Sequence, residues 1–282
     1  MLFLVMVYFV LFLSLLVILV DNILVWWGVF LLMTLVFVML NKGMKSYSSV
    51  LNYFILQESA GLLFLVFSSG CFQLLILMLK IGVAPFHFWI FSVANGVFGF
   101  NLMWFLTFQK LPLLLVLLQL LMGSLFFLLF LGLFMCILQM FMLKSYKNLL
   151  IVSSTESTNW VIMGLLVSFF NIMFVFFYYV VIMLLVIPKF EFFNLSNFLS
   201  WETVLVFMNL PFSVSFFVKI FSLMEVLKVY GVGVLFLLFV MFLSVVSISF
   251  WLVNLSSKLF FLIKYNKVLF CLVLPLTLVV LL

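Results

Sequence analysis

The sequence predicts an all-α polytopic membrane protein with about 11 transmembrane helices. Of its 282 residues, 70% are hydrophobic and only 6% are charged, whereas about a quarter of the residues of a soluble domain are charged. Apolar runs long enough to cross a bilayer follow one another, separated by short polar clusters. The lysines between these runs lie almost entirely in alternate loops. These three observations exclude a soluble domain.

Polar clusters end the first four apolar runs, as expected of loops. Asp21 and Asn22 follow the first run, and a cluster from Asn41 to Ser49 follows the second. The first run has no basic residue at its start and no small-residue cleavage site, so it is predicted to be an anchor and not a removed signal. The first four predicted helices are Leu2–Val20, Ile23–Leu40, Val50–Phe67 and Phe72–Val93.

The two longest apolar runs must each form two helices. As a single helix, Phe98–Leu143 would be about 69 Å long, more than twice the thickness of a hydrocarbon core. We expect it to divide near Gln119 to Ser124, and we expect Leu149–Ile187 to divide around Ser168 to Asn171. The remaining predicted helices are Thr203–Val226, Gly231–Val253 and the short Val268–Leu282.

The distribution of lysines predicts the orientation of these helices. Only Lys228 follows an odd-numbered helix. Because basic residues concentrate in the loops on the inner side of a membrane, the N-terminus is predicted to lie inside and the C-terminus outside. The lysines that follow even-numbered helices are Lys42, Lys45, Lys144, Lys147, Lys189, Lys258, Lys264 and Lys267.

The chain is predicted to be one membrane domain, residues 1–282, with two inverted repeats of five helices. Pro85 interrupts the fourth helix and Pro211 interrupts the ninth, and an offset of five helices makes these two run in opposite directions. Paired broken helices are typical of inverted-repeat transporters, whose ion path lies near the membrane midplane. A proline taken alone is also a common kink in membrane helices. The predicted repeats span about 2–118 and 121–253, and the terminal helix about 268–282.

Charged residues inside the apolar runs are the candidate functional residues. A lysine at the bilayer centre costs about 2.5–3.5 kcal/mol on insertion scales, so such residues are rare and usually functional. Two of the lysines also lie close to the predicted helix breaks. The residues are Lys80, Lys110, Lys219, Glu58 and Glu156.

Proton transfer is the chemistry that suits these groups. A desolvated ammonium gives up its proton more readily than one in water, and a neighbouring carboxylate opposes that release. A file of such groups could therefore pass protons across a membrane, and we predict that Lys80, Lys110, Lys219, Glu58 and His87 form it. An unperturbed histidine titrates near neutral pH, which would suit His87 to such a role, but a hydrogen-bonded structural role is an equal alternative. Glu156 is either a further member of this relay or simply a carboxylate that the neighbouring hydroxyl groups satisfy near the inner face.

Other classes of site are absent from the sequence. It contains no dinucleotide fingerprint, no phosphate-binding loop and no spacing typical of metal ligands. Its lysines are too thinly spread for a nucleic-acid surface. We therefore expect no cofactor, metal or nucleic acid to bind this chain.

The segment Lys80-Ile81-Gly82-Val83-Ala84-Pro85-Phe86-His87-Phe88-Trp89 closely resembles the family of mitochondrially encoded subunit 2 of NADH–ubiquinone oxidoreductase, respiratory complex I. The resemblance extends from about Trp26 to Lys219. Supporting stretches are Gln109-Lys110-Leu111-Pro112 and Leu210-Pro211.

The resemblance implies an antiporter-like, proton-pumping subunit of the membrane arm, with Lys80, Lys110 and Lys219 at the key lysine positions of the family. It implies the mitochondrial inner membrane, with the N-terminus in the matrix and the C-terminus in the intermembrane space. Membrane lipids and other membrane-arm subunits, including neighbouring antiporter-like subunits, are the implied partners. NADH, FMN, iron–sulfur clusters and ubiquinone are expected in partner subunits, so the NADH:ubiquinone reductase activity belongs to the assembly.

One departure from the family bears on the mechanism. The glutamate that pairs with the first lysine in the family falls on Phe30 here. We hypothesise that Glu58, one helix along, takes its place as the partner of Lys80. Two other functions remain open: a cation/proton antiporter subunit, and a scaffold subunit that no longer pumps, which the loss at Phe30 makes conceivable.

Overall fold

The computed structural model describes residues 2–42, 47–67, 69–120, 125–143, 145–167, 176–177, 179–184, 187, 214–231 and 235–256. Within these residues the structure is all-helical, as predicted, and contains no strand. Three described helical stretches are long and apolar enough to cross a membrane, namely Ile23–Leu40, Tyr47–Val66 and Gly99–Gln119. The chain divides into two compact units, Met1–Leu129 and Phe130–Leu282.

The first unit is built from seven helical segments of the described chain. Asn22 starts the second of them, since its side chain accepts a hydrogen bond from the amide of Leu24 at 2.9 Å, the usual role of asparagine at a helix start. The third segment packs against the second and the fourth, and the first packs against the seventh. The segments are α1 (Leu2–Leu19), α2 (Ile23–Leu40), α3 (Tyr47–Val66), α4 (Gly70–Ile81), α5 (Phe88–Ala94), α6 (Gly99–Leu106) and α7 (Lys110–Gln119).

Helix α3 buries several polar side chains and exposes several large apolar ones. Ser49, Tyr53 and Gln57 follow one another at intervals of about one turn and are all buried. Large apolar side chains such as Leu51 and Leu62 are exposed. Helices of soluble proteins show the opposite arrangement. Large exposed apolar side chains opposite buried polar ones fit a helix that faces lipid.

The predicted helix Phe72–Val93 is broken into α4 and α5. Pro85 lies in the turn between them, where its lack of an amide hydrogen does no harm. Gly82 ends α4 in the left-handed conformation, with φ of 74°. The amide of Gly82 donates to the carbonyl of Met78 at 3.0 Å, and the amide of Val83 donates to the same carbonyl at 2.9 Å. The chain thereby leaves the helix with its last amides satisfied.

Side chains from neighbouring segments satisfy the carbonyl groups at the end of α4. Trp89 Nε1 donates to the carbonyl of Leu79 at 2.9 Å, and Gln57 Nε2 donates to the carbonyl of Lys80 at 3.0 Å. A helix end buried without such partners would be costly. These side-chain hydrogen bonds therefore stabilise the break between α4 and α5.

A second break separates α6 from α7, where the sequence predicts one helix with Lys110 near its centre. The amide of Gln109 donates to the carbonyl of Trp104, five residues earlier, at 3.1 Å, and the amide of Lys110 donates to Thr107, three residues earlier, at 3.1 Å. Pro112 explains the irregularity, because proline has no amide hydrogen and its ring crowds the carbonyl four residues earlier. Lys110 thus begins a helical segment and does not lie in the middle of one.

The described part of the second unit contains most of α8 (Phe126–Met142), α9 (Tyr146–Leu165), α10 (Val214–Tyr230) and α11 (Phe236–Ser256). Helix α9 packs against α10. Pro211 and the predicted terminal helix Val268–Leu282 lie outside the described residues. The two predicted repeats stay a prediction.

We predict that Gly82→Ala destabilises the protein more than Gly231→Ala does. Both glycines have φ of 74°, so both substitutions cost about 1–2 kcal/mol for a left-handed alanine. A methyl group on Gly82 would also overlap the side chain of Ile90, whereas one on Gly231 would meet nothing within 4 Å. Thermal unfolding of the purified complex measures the difference. Equal melting temperatures for the two variants would contradict the close packing at Gly82.

Candidate functional site: buried lysines of the two units

Lys80 lies in the last turn of α4, with its ammonium group buried against α2 and α3. Its Nζ is 4.4 Å from the centre of the Phe30 ring, a distance at which the face of the ring attracts a cation. A methyl group on Gly61 would come within 3.3 Å of Nζ, so the absence of a side chain there makes room for the ammonium group. The C-terminal end of a helix also stabilises a cation. The Phe30 ring, the space at Gly61 and the C-terminal end of α4 together accommodate the ammonium group of Lys80.

Glu58 does not contact Lys80 directly. Among the described residues, the ion pairs with N–O distances within 4.0 Å involve other residues. The hydroxyl group of Thr34 donates to Oε1 of Glu58 at 2.7 Å. Thr34 lies four residues after Phe30 and therefore on the same face of α2. Glu58 is thus held about one helical turn from the ring that contacts Lys80.

Lys80 and Lys110 line the same cavity. Its volume is about 10 Å³, about the smallest that can hold one water molecule. The other polar side chains in its lining belong to Tyr53, Gln57 and Gln109. The cavity therefore has polar groups from two lysines, two glutamines and a tyrosine in a lining that is otherwise apolar.

The side chain of Gln109 fixes the helix break next to Lys110. Its Nε2 donates to the carbonyl of Met33 at 3.0 Å and to the hydroxyl group of Tyr53 at 2.5 Å. Its Oε1 accepts a hydrogen bond from Nε1 of Trp104 at 3.1 Å. One amide group thereby joins α2, α3 and α6, and all of its bonds are buried. Such fully satisfied networks rigidify a core.

His87 lies apart from this cavity. It is fully buried in the turn between α4 and α5, and its ring stacks on that of Phe88 with 4.9 Å between centroids. The ring of Phe91 lies 5.9 Å away. His87 is not among the residues that line the cavity of Lys80 and Lys110. Its place in a proton relay stays a prediction.

In the second unit, Lys219 of α10 forms a buried ion pair with Glu156 of α9. Lys219 Nζ is 2.5 Å from Glu156 Oε1. The same oxygen accepts a hydrogen bond from Nε1 of Trp160 at 3.2 Å. Hydrogen bonds between charged groups are stronger than neutral ones. This buried ion pair therefore links α9 and α10 where the two helices pack against each other.

The hydroxyl groups around Glu156 do not satisfy its carboxylate, so that sequence-based alternative is wrong. Each of them donates to the carbonyl three residues earlier in α9, as serine and threonine commonly do inside helices. Glu156 instead finds its partners in Trp160, one turn further along, and in Lys219, which is distant in sequence. The hydroxyl groups belong to Ser153, Ser154, Thr155, Ser157 and Thr158.

Comparisons with known proteins show what the whole chain is similar to. No protein-family model matches the chain. The chain is 57% identical over 250 residues to NADH-ubiquinone oxidoreductase chain 2 of Caenorhabditis elegans, with 89% of each chain covered. It is 52% identical over 268 residues to the protein of the same name from Ascaris suum, with 95% of this chain and 89% of that one covered.

A solved structure shows the same fold. It is a chain of respiratory complex I from Thermus thermophilus with bound aureothin, with a TM-score of 0.71 and 18% sequence identity. The match covers 92% of the present chain and 72% of that chain.

Proposed function

The chain belongs to the NADH-ubiquinone oxidoreductase chain 2 family, and we propose that it is a proton-translocating, antiporter-like subunit in the membrane arm of respiratory complex I. Electron transfer from NADH to ubiquinone, through FMN and iron–sulfur clusters, belongs to partner subunits in this proposal. The energy of that reaction drives protons through this chain. Its place is the mitochondrial inner membrane, with the N-terminus in the matrix, beside other antiporter-like subunits and lipid.

Burial of the three lysines is the observation that carries the proposal. Lys80 is 3% exposed, Lys110 is 4% exposed and Lys219 is 8% exposed. Burying a charge in a membrane protein is expensive, and a buried ion pair contributes little to stability compared with apolar packing. A function of the three buried lysines therefore explains their presence better than a contribution to stability does.

The proposed mechanism couples neighbouring charges. A unit change of charge about 10 Å away, at an effective dielectric constant near 20, alters the energy of an ammonium group by about 1.7 kcal/mol, which changes its protonation more than tenfold. In the second unit, Lys219 keeps its proton while Glu156 is charged and releases it when that charge is neutralised. In the first unit, Lys80 and Lys110 exchange a proton through the cavity that they share.

The proposal includes 11 transmembrane helices in two inverted repeats, with helices four and nine broken. The break between α4 and α5 supports it, because Lys80 lies at the end of the half-helix and its carbonyl is capped by a side chain. Transporters with inverted repeats place their ion sites at such half-helix ends. The lysine distribution supports an N-terminus in the matrix and a C-terminus in the intermembrane space.

The proposal predicts that Lys219→Ala impairs proton translocation. Complex I that contains this variant, reconstituted in liposomes, should move fewer protons per electron pair or turn over at least about tenfold more slowly under coupled conditions, since a lost acid–base group typically costs that much or more. Proton uptake and NADH oxidation are measured together. Lys42→Ala, which removes an exposed lysine at the end of α2, is the matched control.

The alternatives give different results in the same system. Unchanged stoichiometry and rate with Lys219→Ala would contradict pumping and favour a scaffold, the reading that the phenylalanine at position 30 supports. Sodium-dependent proton flux through the subunit would favour a cation/proton antiporter.

A further inference from the structure

A row of polar side chains follows α10 from the buried ion pair to the end of the helix. Lys219, Ser222, Glu225 and Lys228 are spaced three residues apart, and residues at this spacing are neighbours on a helix surface. Ser222 is fully buried and Glu225 is 6% exposed, whereas the side chain of Lys228 is 66% exposed. The row therefore leads from the interior of the second unit to its surface.

Two hydrogen bonds lie along the row, one between Ser222 and the backbone of Lys219 and one between Lys228 and Glu225. The hydroxyl group of Ser222 donates to the carbonyl of Lys219 at 2.7 Å, so its oxygen can still accept a hydrogen bond. Lys228 Nζ donates to Oε1 of Glu225 at 2.7 Å. Glu225 lies six positions after Lys219, about 9 Å along the helix axis, and Ser222 lies between them.

The ion pair with Lys228 does not by itself explain the carboxylate of Glu225. The side chain of Lys228 is 66% exposed, and ion pairs with an exposed member contribute little to stability. An apolar residue would pack at this buried position without the cost of desolvating a carboxylate. The carboxylate is nevertheless present, on the helix that also carries Lys219.

We propose that Glu225 is a further proton-carrying residue, which accepts the proton of Lys219 and delivers it to the surface at Lys228. This inference rests on the proposed function of Lys219. An N–H bond of the Lys219 ammonium group breaks, and an O–H bond forms on the Glu225 carboxylate, through a water molecule hydrogen-bonded to Ser222. The O–H bond of Glu225 then breaks, the proton passes to surface water, and the carboxylate pairs with Lys228 again. No electrons are transferred.

The experiment compares Glu225→Gln with Lys219→Ala in complex I reconstituted in liposomes. Glutamine keeps the size and hydrogen bonding of the side chain but cannot carry the proton. We expect coupled turnover or protons per electron pair to fall with Glu225→Gln as with Lys219→Ala, by about tenfold or more in rate. Asp21→Asn, which alters an exposed carboxylate between α1 and α2, should leave both quantities within twofold of the unaltered complex.

The outcomes separate this inference from the proposed function. If Lys219→Ala impairs pumping and Glu225→Gln does not, the role of Glu225 is overturned and the proposed function stands. If neither variant impairs pumping, the proposed function fails and this inference fails with it.

If Glu225→Gln prevents assembly of the complex, a second variant tests the proposed role of Glu225. Glu225→Asp keeps the carboxylate but shortens its reach. It should slow coupled turnover and increase the ratio of rates in H₂O and D₂O, because proton transfer becomes limiting. Turnover and isotope ratio equal to those of the unaltered complex would overturn the proposal.

Discussion

Glu156→Ala is expected to destabilise the second unit by about 3–5 kcal/mol, the usual cost of leaving one member of a buried ion pair without its partner. Lys219 would remain between α9 and α10 with its ammonium group no longer facing a carboxylate. We expect a lower melting temperature and less assembled complex, measured by thermal unfolding and by native gel electrophoresis. Lys42→Ala, which removes an exposed lysine, should change neither.

The double variant Glu156→Leu with Lys219→Met separates stability from function. Replacing both members of a buried pair by apolar residues is often neutral or stabilising, so assembly should recover. Proton translocation should not recover, because the variant has no titratable group at this point. The difference between the double variant and the sum of the single ones measures the coupling of the two residues. A double variant that pumped normally would show that the pair is only structural.

Lys80→Met is expected to reduce coupled turnover by at least about tenfold with little loss of assembled complex. Methionine fills similar space and packs well against aromatic rings, so the change removes the charge at Phe30 and leaves the packing. The measurement is proton uptake per electron pair in liposomes, with assembly followed on native gels. Lys42→Met is the control. Normal pumping in an assembled Lys80→Met complex would rule out a proton-carrying role for Lys80.

Variants of Phe30 test the contact that holds Lys80. Phe30→Leu keeps an apolar side chain but removes the face of the ring, worth about 0.5–2 kcal/mol. This corresponds to a change of about 2- to 30-fold in coupled rate. Phe30→Trp keeps a cation-binding ring and should retain more activity than Phe30→Leu. Equal rates for the two variants would show that the ring serves only to fill space.

The sequence predicted the described helices to within a few residues where polar residues mark their ends. Helix α2 runs over Ile23–Leu40 as predicted, because Asn22 and Asn41 flank an uninterrupted apolar run. The break before Lys110 was not predicted, because α6 and α7 together still have the length and composition of one membrane span. Pro112 is the local signal for that break, and its effect falls on residues that precede it.

The sequence identified four of the buried charges of the described chain but not Lys147 and Glu225, and it did not show the surroundings of any of them. Charges in apolar runs are visible without a structure, whereas Lys219 meets Glu156 from a position 63 residues away in the chain. Phe30 is less visible still, since one phenylalanine among 42 carries no mark of its contact with an ammonium group. Which side chains meet across helices is decided by packing and not by local pattern.

An aromatic ring against Lys80 has a consequence for how that lysine can be controlled. A carboxylate in the same place would gain and lose charge during turnover, but the quadrupole of Phe30 is constant at every pH and every stage of the cycle. The ring therefore contributes a constant interaction with Lys80 and cannot itself start a change in its protonation. Any timing signal for Lys80 has to arrive from farther away, along the Thr34 and Glu58 contact or across the chamber shared with Lys110.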